Sequence, residues 1–300
     1  MRFTLDMTLQ DIMAANPKTV DAMQEMGLHC LGCPFSIKEN LGNAAQMHGI
    51  DPQALLARVN EVEQGEMSAQ AKANSQPEAS VLQMDKKTYA IAPHIPAGVA
   101  TPAILRKIAD VAEKYQAAAL KVTTAQRIAI VGLKPEDVPK AWADLGMDPG
   151  HAAGVCVRSV KVCPGNTFCK RGLQETLTFG VELDKRYHGM PLPSKFKIAV
   201  AGCPNKCTDS ATVDLGLMGT SKGYHLYVGG NGGVKPRLAD LLWENLQESE
   251  RFPAVEAVIE YYKEKAKPQE RLGRMLDRLG LDELRGRVGK TLETLSSVKQ

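Results

Sequence analysis

The sequence predicts an α+β protein of three parts, in which a small all-α N-terminal domain precedes two α+β domains. Residues 1–62 carry helix signals along their length. Residues 63–84 are polar, rich in Ala, Ser and Gln, and without apolar periodicity, which is typical of a linker. From residue 85 onward, strand-like and helical runs alternate. We therefore expect two domains after the linker, over residues 85–150 and 151–300.

The N-terminal domain shows the start and stop signals of short helices. Thr8 stands three residues before Asp11, which is the spacing of a helix N-cap with an acid in the first turn. Pro17 ends that helix because it cannot continue the backbone hydrogen bonding, and Thr19 can begin the next one. Residues 43–62 are again amphipathic, so the whole domain is expected to be helical.

The middle domain follows the order β–α–β–β–α. Its expected strands and helices are, in chain order, Tyr89–Ala92, Pro102–Tyr115 with Thr101 as N-cap, Leu120–Thr124, Arg127–Gly132 and Pro135–Leu145. This order is that of a split βαβ, or ferredoxin-like, unit.

The C-terminal domain is expected to combine strands with a helical end. Its strongest strand is Phe196–Ala201, and two more are expected over Asp214–Met218 and Tyr224–Val228. Helices are expected over Ala239–Glu248 and Phe252–Ala266, with an imperfect helix from Gln269 that Gly280 and Gly286 interrupt.

Composition limits the classes of function. The chain is 44% hydrophobic, enough for a packed core, yet it lacks the run of about 18 apolar residues that a membrane-spanning helix needs. Its first residues lack the order of a signal peptide, so we expect a cytoplasmic protein without membrane contact. A net charge of +3 does not suggest nucleic acid as a partner.

Positive charge is concentrated in one segment. Between Arg158 and Cys207 there are nine basic and three acidic residues, a local charge of +6 against +3 for the whole chain. Such a field favours an anionic ligand, although a solvated basic face would give the same composition.

Four of the seven cysteines are spaced for a metal or cluster site. They form Cys163-x5-Cys169 and Cys203-x3-Cys207, and close cysteine pairs in a reducing compartment indicate metal or redox sites. Four thiolates are the usual shell of a [4Fe–4S] cluster, whereas structural zinc usually uses C-x2-C pairs, which these are not. The spacing therefore favours a cluster over zinc, and Cys156 is expected to be a structural thiol.

The residues around these cysteines resemble a known family. Cys163-Pro-Gly-Asn-Thr-Phe-Cys169-Lys-Arg-Gly172 and Gly202-Cys203-Pro-Asn-Lys-Cys207 are similar to the signature of the siroheme-dependent sulfite and nitrite reductases. The resemblance implies that the four cysteines hold a [4Fe–4S] cluster and that Cys207 also bridges the cluster to the siroheme iron. It implies a siroheme/[4Fe–4S]-binding domain over residues 151–300.

The same resemblance implies residues that bind the substrate anion and the cofactor. Thr123-Thr-Ala-Gln-Arg127 is similar to the family's active-site arginine region, and Leu192-Pro-Ser-Lys195-Phe-Lys197 to a segment whose lysines face the substrate. The implied catalytic residues are Arg127, Arg158, Lys195 and Lys197. The implied siroheme contacts, besides Cys207, are Lys170, Arg171, Asn205 and, from a glycine-rich loop, Gly230, Asn231 and Arg237.

The leading hypothesis is a reductase that takes sulfite to sulfide by six-electron reduction. Nitrite reduction to ammonia on the same centre is an alternative, because the same basic side chains attract both anions. An electron-transfer or redox-sensing [4Fe–4S] protein without siroheme, and a zinc-stabilised interaction module, are further alternatives. The chain has no GxGxxG motif, so a separate electron donor such as ferredoxin is expected.

Two features extend beyond the single reductase module. Many family members carry two copies of the module and this chain carries one, so a homodimer is one expected way to complete its pocket.

Leu28-His29-Cys30-Leu-Gly-Cys33-Pro34 resembles a small helical redox-disulfide domain, in which C-x-x-C permits reversible disulfide exchange. The alternative is that Cys30 and Cys33 are packed thiols. The six histidines are scattered, and none has a metal-ligand spacing.

Overall fold

A computed structural model describes residues 3–16, 19–28, 39–63 and 79–297 of the chain. The chain divides into two compact units, Met1–Pro77 and Glu78–Gln300. None of the helices in the described ranges combines the length and apolarity needed to span a bilayer.

The first unit contains four described helices, which are α1 (Leu9–Ala15), α2 (Thr19–Glu25), α3 (Leu41–Met47) and α4 (Pro52–Glu63). Their buried apolar residues form one core. Thr8 caps α1 as predicted, because its hydroxyl accepts the backbone N–H of Asp11 at 3.1 Å. Cys30 and Cys33 lie outside the described residues.

The second unit begins with a four-stranded antiparallel sheet. Its strands are β1 (Ser80–Leu82), β2 (Tyr89–Ile91), β3 (Ala119–Val122) and β4 (Ile128–Leu133), in the order β1-β2-β4-β3. Helices α5 (Pro102–Lys114) and α6 (Val138–Leu145) share one apolar core with this sheet. The ferredoxin-like order is confirmed, with β1 as an added strand inside the range predicted for the linker.

A five-stranded mixed sheet forms the centre of the C-terminal domain. Its strands are β5 (Val157–Val162), β6 (Phe196–Ala201), β7 (Leu215–Thr220), β8 (Gly223–Val228) and β9 (Asp240–Leu246), and they pair in chain order. Strands β5, β6 and β7 are parallel, whereas β8 and β9 are antiparallel to their neighbours. Side-by-side parallel strands bring their carboxyl ends to one edge of the sheet, where α/β proteins commonly place their sites.

The described helices of this domain are α7 (Gly165–Phe168), α8 (Leu177–Tyr187), α9 (Arg251–Lys265), α10 (Leu272–Leu279) and α11 (Asp282–Ser297). Helices α8 to α11 contribute to the same core as the sheet, whereas the short α7 does not. Gly280, with φ of +80°, separates α10 from α11, where the sequence indicated one interrupted helix. Helix α8 was not predicted.

The predicted helix over Ala239–Glu248 is wrong, because Asp240–Leu246 is strand β9. Its leucines are spaced like one face of a helix, and several neighbours are good helix formers. In the fold, however, this segment pairs with β8 and sets Trp243 opposite Leu226. Pairing along the strand, together with burial of Leu242 and Leu246 in the core, outweighs a weak local preference.

Candidate iron–sulfur and anion site

Two loops at one edge of the mixed sheet carry the four cysteines. Cys163 directly follows β5 and Cys203 comes two residues after β6, so both stand at the carboxyl ends of neighbouring parallel strands. Cys169 follows the single turn α7. The loop to Cys207 turns back where the N–H of Lys206 donates to the Cys203 carbonyl at 3.3 Å. The structure thus brings together the segments that carry all four predicted ligands.

Hydrogen bonds from the backbone reach the first cysteine sulfur. The N–H of Gly202 donates to Sγ of Cys163 at 3.1 Å, and the N–H of Gly165 donates to it at 3.4 Å. Such donors stabilise a thiolate and tune a metal centre. A Cβ on Gly202 would lie 2.9 Å from Cα of Gly165, so the two loops approach too closely for a side chain there. Four thiols, three of them partly buried and that of Cys207 exposed, fit the shell of a [4Fe–4S] cluster.

Gln126 holds the strand that leads to Cys163. Its Nε2 donates to the carbonyl of Val162 and its Oε1 accepts the N–H of the same residue, both at 2.8 Å. Strand β5 is the edge strand of its sheet, so this amide takes the place of a neighbouring strand. Gln126 belongs to the ferredoxin-like domain and was not among the predicted site residues. It therefore joins that domain to the residue before a predicted cluster ligand.

Gln126→Ala is expected to lower both stability and iron content. The change removes two hydrogen bonds and leaves two buried backbone groups unpaired, so the free energy of unfolding should fall by about 1–3 kcal/mol. Urea unfolding and iron analysis would measure the effect. The matched control is Gln83→Ala, because the amide of Gln83 donates only to the exposed carbonyl of Val81. Equal losses in the two variants would contradict this role of Gln126.

One face of strands β5 and β6 carries lysines close to the cysteine loops. Val160 and Ile198 belong to the apolar core. Alternation along the strands then places Ser159, Lys161 and Lys197 on the opposite face. This arrangement supports an anionic ligand on that face rather than a uniformly solvated basic surface.

Lys197 is half-buried among other positive charges. Burial lowers the pKa of its ammonium, and the positive charges of Lys161, Arg271 and Lys195 lower it further. A lysine with a lowered pKa gives up a proton more readily near neutral pH. Lys195, the other predicted lysine, is exposed.

Lys161 was not predicted as a site residue. Its side chain is only 9% exposed, and Nζ lies 2.7 Å from Oδ2 of Asp209, two residues after Cys207. The pair connects β5 to the second cysteine loop. A lysine between two valines, Val160 and Val162, is the signal that could have identified it.

A buried ion pair supports the backbone beside Lys197. Asp214 is fully buried and accepts Nε and Nη2 of Arg271 at 2.8 and 2.7 Å. Its Oδ2 also accepts the backbone N–H of Lys197 at 2.8 Å, and Nη1 of Arg271 donates to Oδ1 of Asn231 at 3.4 Å. Burial raises the pKa of Asp214, and the guanidinium of Arg271 opposes that shift. The Asp214–Arg271 pair therefore connects β6, the glycine-rich loop and the start of α10.

The predicted arginines Arg127 and Arg158 lie beside each other. Nη2 of Arg127 donates to the carbonyl of Arg158 at 2.9 Å. The side chain of Arg158 donates to the carbonyls of Gly154 and Ala152 at 2.9 and 3.3 Å. Burial lowers the pKa of both guanidinium groups. Both arginines therefore lie where the ferredoxin-like domain packs against β5.

The predicted siroheme contacts fall into two groups. Lys170, Arg171 and Asn205 are exposed on the cysteine loops. Gly230 and Asn231 lie in the glycine-rich loop, where Gly230 is buried and the amide of Asn231 bonds within the loop. The structure leaves the first group accessible to a ligand.

Arg237 is held by acids on neighbouring elements. Its guanidinium pairs with Asp240 at 2.6 Å and Asp277 at 2.9 Å, and Nη1 donates to the carbonyls of Gly229 and Leu238. These contacts close the glycine-rich loop. A contact between Arg237 and a cofactor stays a prediction.

Three of the six histidines lie together, although they are far apart in the sequence. The rings of His94 and His188 stack with centroids 3.6 Å apart, and His151 meets His188 edge-on at 5.0 Å. Nε2 of His94 lies 2.7 Å from Oδ2 of Asp184, a residue that is 2% exposed. We call His94, His151 and His188 the histidine group. No spacing rule could have found it, because the fold alone assembles it.

Acid is expected to weaken the fold through His188. Burial, and then the neighbouring His94, lower the pKa of His188 to about 4. The same imidazole has a pKa of about 6.5 in an unfolded chain, so between these values the unfolded state binds the proton more readily. The stabilisation is complete above pH 6.5 and is lost as the pH falls to about 4. The full shift corresponds to about 3 kcal/mol, and solvent screening of this partly exposed ring lowers the expected loss to about 2 kcal/mol. Urea unfolding across this range should show a smaller pH dependence in His188→Phe than in the original chain, and identical dependences would contradict it.

Three protein-family models match parts of the chain. Residues 153–295 match the nitrite and sulphite reductase 4Fe-4S domain, and residues 81–147 match the nitrite/sulfite reductase ferredoxin-like half domain. Residues 3–56 match a domain of unknown function (DUF1858). Because the model that matches residues 153–295 describes a 4Fe-4S domain, the cluster is favoured over a zinc site. In the described ranges, no three His, Cys, Asp or Glu side chains lie close enough together to hold a single metal ion.

Curated relatives establish the family. The assimilatory-type sulfite reductase of Nitratidesulfovibrio vulgaris is 38% identical over 215 residues, which are 72% of this chain and 99% of that protein. The chain belongs to the nitrite and sulphite reductase family. A nitrite reductase (NAD(P)H) of Bacillus subtilis is 41% identical over 218 residues, 68% of this chain but 27% of that protein. Family membership confirms the predicted oxidoreductase class and the [4Fe–4S] cluster, whereas the roles of individual residues stay predictions.

Two solved structures share the fold. Dissimilatory sulfite reductase I superposes with a TM-score of 0.60 at 16% identity, covering 79% of this chain and 80% of that chain. The NirA protein of Mycobacterium tuberculosis superposes with a TM-score of 0.60 at 20% identity, covering 69% and 40%. The predicted α+β fold is thereby confirmed.

Proposed function

We propose that the chain is a siroheme-dependent sulfite reductase. The assimilatory-type sulfite reductase of N. vulgaris supports this substrate, because the chain spans 99% of its length. The B. subtilis nitrite reductase is a larger protein, of which the chain spans 27%. The observation that carries the proposal is the position of the cysteine loops beside the half-buried lysine face of β5 and β6.

The residues around the cysteine loops fit a tetrapyrrole that carries many carboxylates. Positive charge on the lysine-bearing face of β5 and β6 comes from Lys161 and Lys197, with Arg271 nearby. The first cysteine loop adds the exposed side chains of Lys170 and Arg171. Charged pairs with such basic groups are the usual way in which proteins hold carboxylates. We propose that Cys207, Asn205, Gly230, Asn231 and Arg237 complete this site. Siroheme, when bound, would supply the iron that binds the anion, while the cluster supplies electrons.

The reaction demands both charge and protons. Hydrogen sulfite takes up six electrons and six protons and gives the hydrogen sulfide anion and three water molecules. Lys197 and Lys195 can attract the anion, and Lys197 has the lowered pKa that favours proton donation. We assign Arg127 and Arg158 to the anion as well, since a guanidinium keeps its charge at every working pH.

Turnover with reduced methyl viologen tests the proposal. The chain should reduce sulfite to sulfide, and Lys197→Met should lower kcat/KM about 100-fold, because it removes a charged hydrogen bond and a proton donor. Lys290→Met, which alters an exposed lysine of α11, is the matched control and should change nothing. Absence of sulfide formation by protein that contains siroheme would overturn the proposal.

Nitrite is the second candidate substrate. The nitrite reductases among the relatives favour it, and the same basic face would attract it. A kcat/KM for nitrite above that for sulfite, with ammonia as product, would reassign the enzyme.

We propose that the electron donor is an acidic protein such as ferredoxin. Phe168 is 79% exposed between Cys163 and Cys169, and Lys170 and Arg171 stand next to it. An exposed aromatic ring among basic residues is a suitable contact for an acidic partner.

Charge reversal on the first cysteine loop is expected to weaken the use of ferredoxin. Lys170→Glu/Arg171→Glu should raise the KM for reduced ferredoxin about 10-fold or more at low salt, and less at high salt, because the attraction is screened. Turnover with methyl viologen should remain unchanged in the same variant. An unchanged KM for ferredoxin at low salt would contradict this docking site.

We further propose a homodimer in the cytoplasm. The family description of a half domain supports a second copy, and β3 is an edge strand whose four residues are all exposed. Thiolate cluster ligands also require a reducing compartment. Sedimentation velocity of the loaded protein would test the dimer, and a monomer at micromolar concentration would contradict it.

A further inference from the structure

The histidine group lies beside a buried acid, Asp184, at the joint between the two α+β domains. His94 follows β2 and His151 follows the ferredoxin-like domain, while Asp184 and His188 belong to the end of α8. The backbone N–H of His94 donates to the carbonyl of Asp148 at 2.8 Å, which fixes the segment that presents the ring. The stacked His188 then covers one face of the His94 ring. These contacts hold the His94 ring against Asp184.

Arg127 lies in the same joint. A narrow cleft is lined by the side chains of His94, Arg127, Arg158, Asp184 and His188. Arg127 is 5% exposed and Nη2 donates to the Arg158 carbonyl, whereas Nη1 has no hydrogen-bond partner in the described part of the chain. One carbonyl therefore provides the direct hydrogen bond to this guanidinium.

Two charged neighbours act on the guanidinium of Arg127. Asp184 acts on Arg127 as a counter-charge, whereas the like charge of Arg158 acts against it. A buried guanidinium without a counter-charge is costly. Asp184 is itself held by the His94 hydrogen bond of 2.7 Å, so His94 controls where that negative charge lies.

We propose that Asp184 and His94 are positioning residues for Arg127, holding its guanidinium in the orientation that binds the substrate anion, with His188 supporting the His94 ring. The inference rests on the proposed anion contact of Arg127. Neither positioning residue touches the anion. Both act through charge and geometry across the joint between the two domains.

Steady-state kinetics with sulfite in variants of the loaded enzyme test the inference. His94→Phe keeps the stacked ring but removes the hydrogen bond, and Asp184→Asn keeps the shape but removes the charge. Each should raise the KM for sulfite about 10-fold, the effect of losing one charge-assisted hydrogen bond, and should leave kcat nearly unchanged. His94→Gln should restore the KM, because its amide can donate to Asp184 as Nε2 of His94 does.

Three further measurements make the result decisive. Iron content and the visible spectrum show that the cofactors are retained, and thermal unfolding separates a local effect from general loss of stability. His225→Gln is the matched control, because His225 lies in the same unit outside the histidine group and contacts the backbone N–H of Asn245. Its KM should equal that of the original enzyme. If Asp184→Asn fails to fold, the KM values of His94→Phe and His94→Gln for sulfite still test the positioning role.

The outcomes separate the inference from the proposed function. Arg127→Lys should raise the KM for sulfite, since lysine cannot reproduce the guanidinium contact. If Arg127→Lys raises the KM but His94→Phe does not, the positioning role is overturned while Arg127 keeps its role. If Arg127→Lys leaves the KM unchanged, the anion contact and the inference both fail, whereas sulfite turnover itself would stand. A KM raised in His94→Phe and recovered in His94→Gln supports the inference.

Discussion

Cys203→Ser is expected to lose most of the iron and acid-labile sulfide of the protein and to reduce its reductase activity to background. Serine has nearly the shape of cysteine but does not supply a thiolate, so a cluster that needs four would lose one ligand. Cys203 stands at the end of β6, on the loop that donates the Gly202 N–H to Sγ of Cys163. Loss of the cluster should therefore also loosen the contact between the two cysteine loops.

The buried thiol of Cys156 gives a matched control. It lies just before β5 and belongs to the same domain, but it is 7% exposed and outside both cysteine loops. Cys156→Ser should keep its iron, sulfide and visible spectrum. Iron analysis on both variants purified without oxygen would measure the difference. Full iron content in Cys203→Ser would contradict the assignment of the cluster ligands.

Asp214→Asn is expected to destabilise the fold strongly, because it breaks the buried ion pair beside Lys197. Breaking a buried ion pair leaves the guanidinium of Arg271 without a counter-charge, and the free energy of unfolding should fall by about 3–5 kcal/mol. Asp214 is fully buried, and the side chain of Arg271 is 14% exposed. The variant also weakens the hydrogen bond to the backbone of Lys197, so the KM for sulfite should rise in protein that remains folded.

Two comparisons distinguish the buried pair from an ordinary surface pair. The double variant Asp214→Leu/Arg271→Met removes both charges together and should recover much of the lost stability. Lys114→Met breaks the exposed pair with Asp144 and should have no measurable effect on unfolding. Urea unfolding would measure all three variants. A loss in Asp214→Asn no larger than that in Lys114→Met would contradict the account of this pair.

The parts that could be predicted from the sequence are those with a local signal. The cap at Thr8, the strand at Phe196–Ala201 and the ferredoxin-like order depend on residues within a few positions of each other, and the structure reproduces them. The cysteine spacing indicated the cluster for the same reason, since the four predicted ligands lie in two short motifs. Local patterns of this kind survive because tertiary packing agrees with them.

The parts that could not be predicted depend on distant residues. Strand β9 has helix-like spacing and becomes a strand only because β8 is beside it. Gln126 meets Val162 across 36 positions, and His94 meets Asp184 across 90. Nothing in the neighbourhood of either residue indicates its partner. Lys161 lies between these cases, because a lysine flanked by two valines is unusual, but its pairing with Asp209 could be found only from the fold.

The visible absorption spectrum of protein purified without oxygen, with iron and acid-labile sulfide counted on the same sample, tests the central claim most directly. A siroheme-dependent reductase should show the Soret and long-wavelength bands of siroheme and about five iron atoms per chain, four of them from the cluster. A broad cluster shoulder with about four iron atoms and no tetrapyrrole bands would contradict the reductase and leave an electron-transfer or redox-sensing protein.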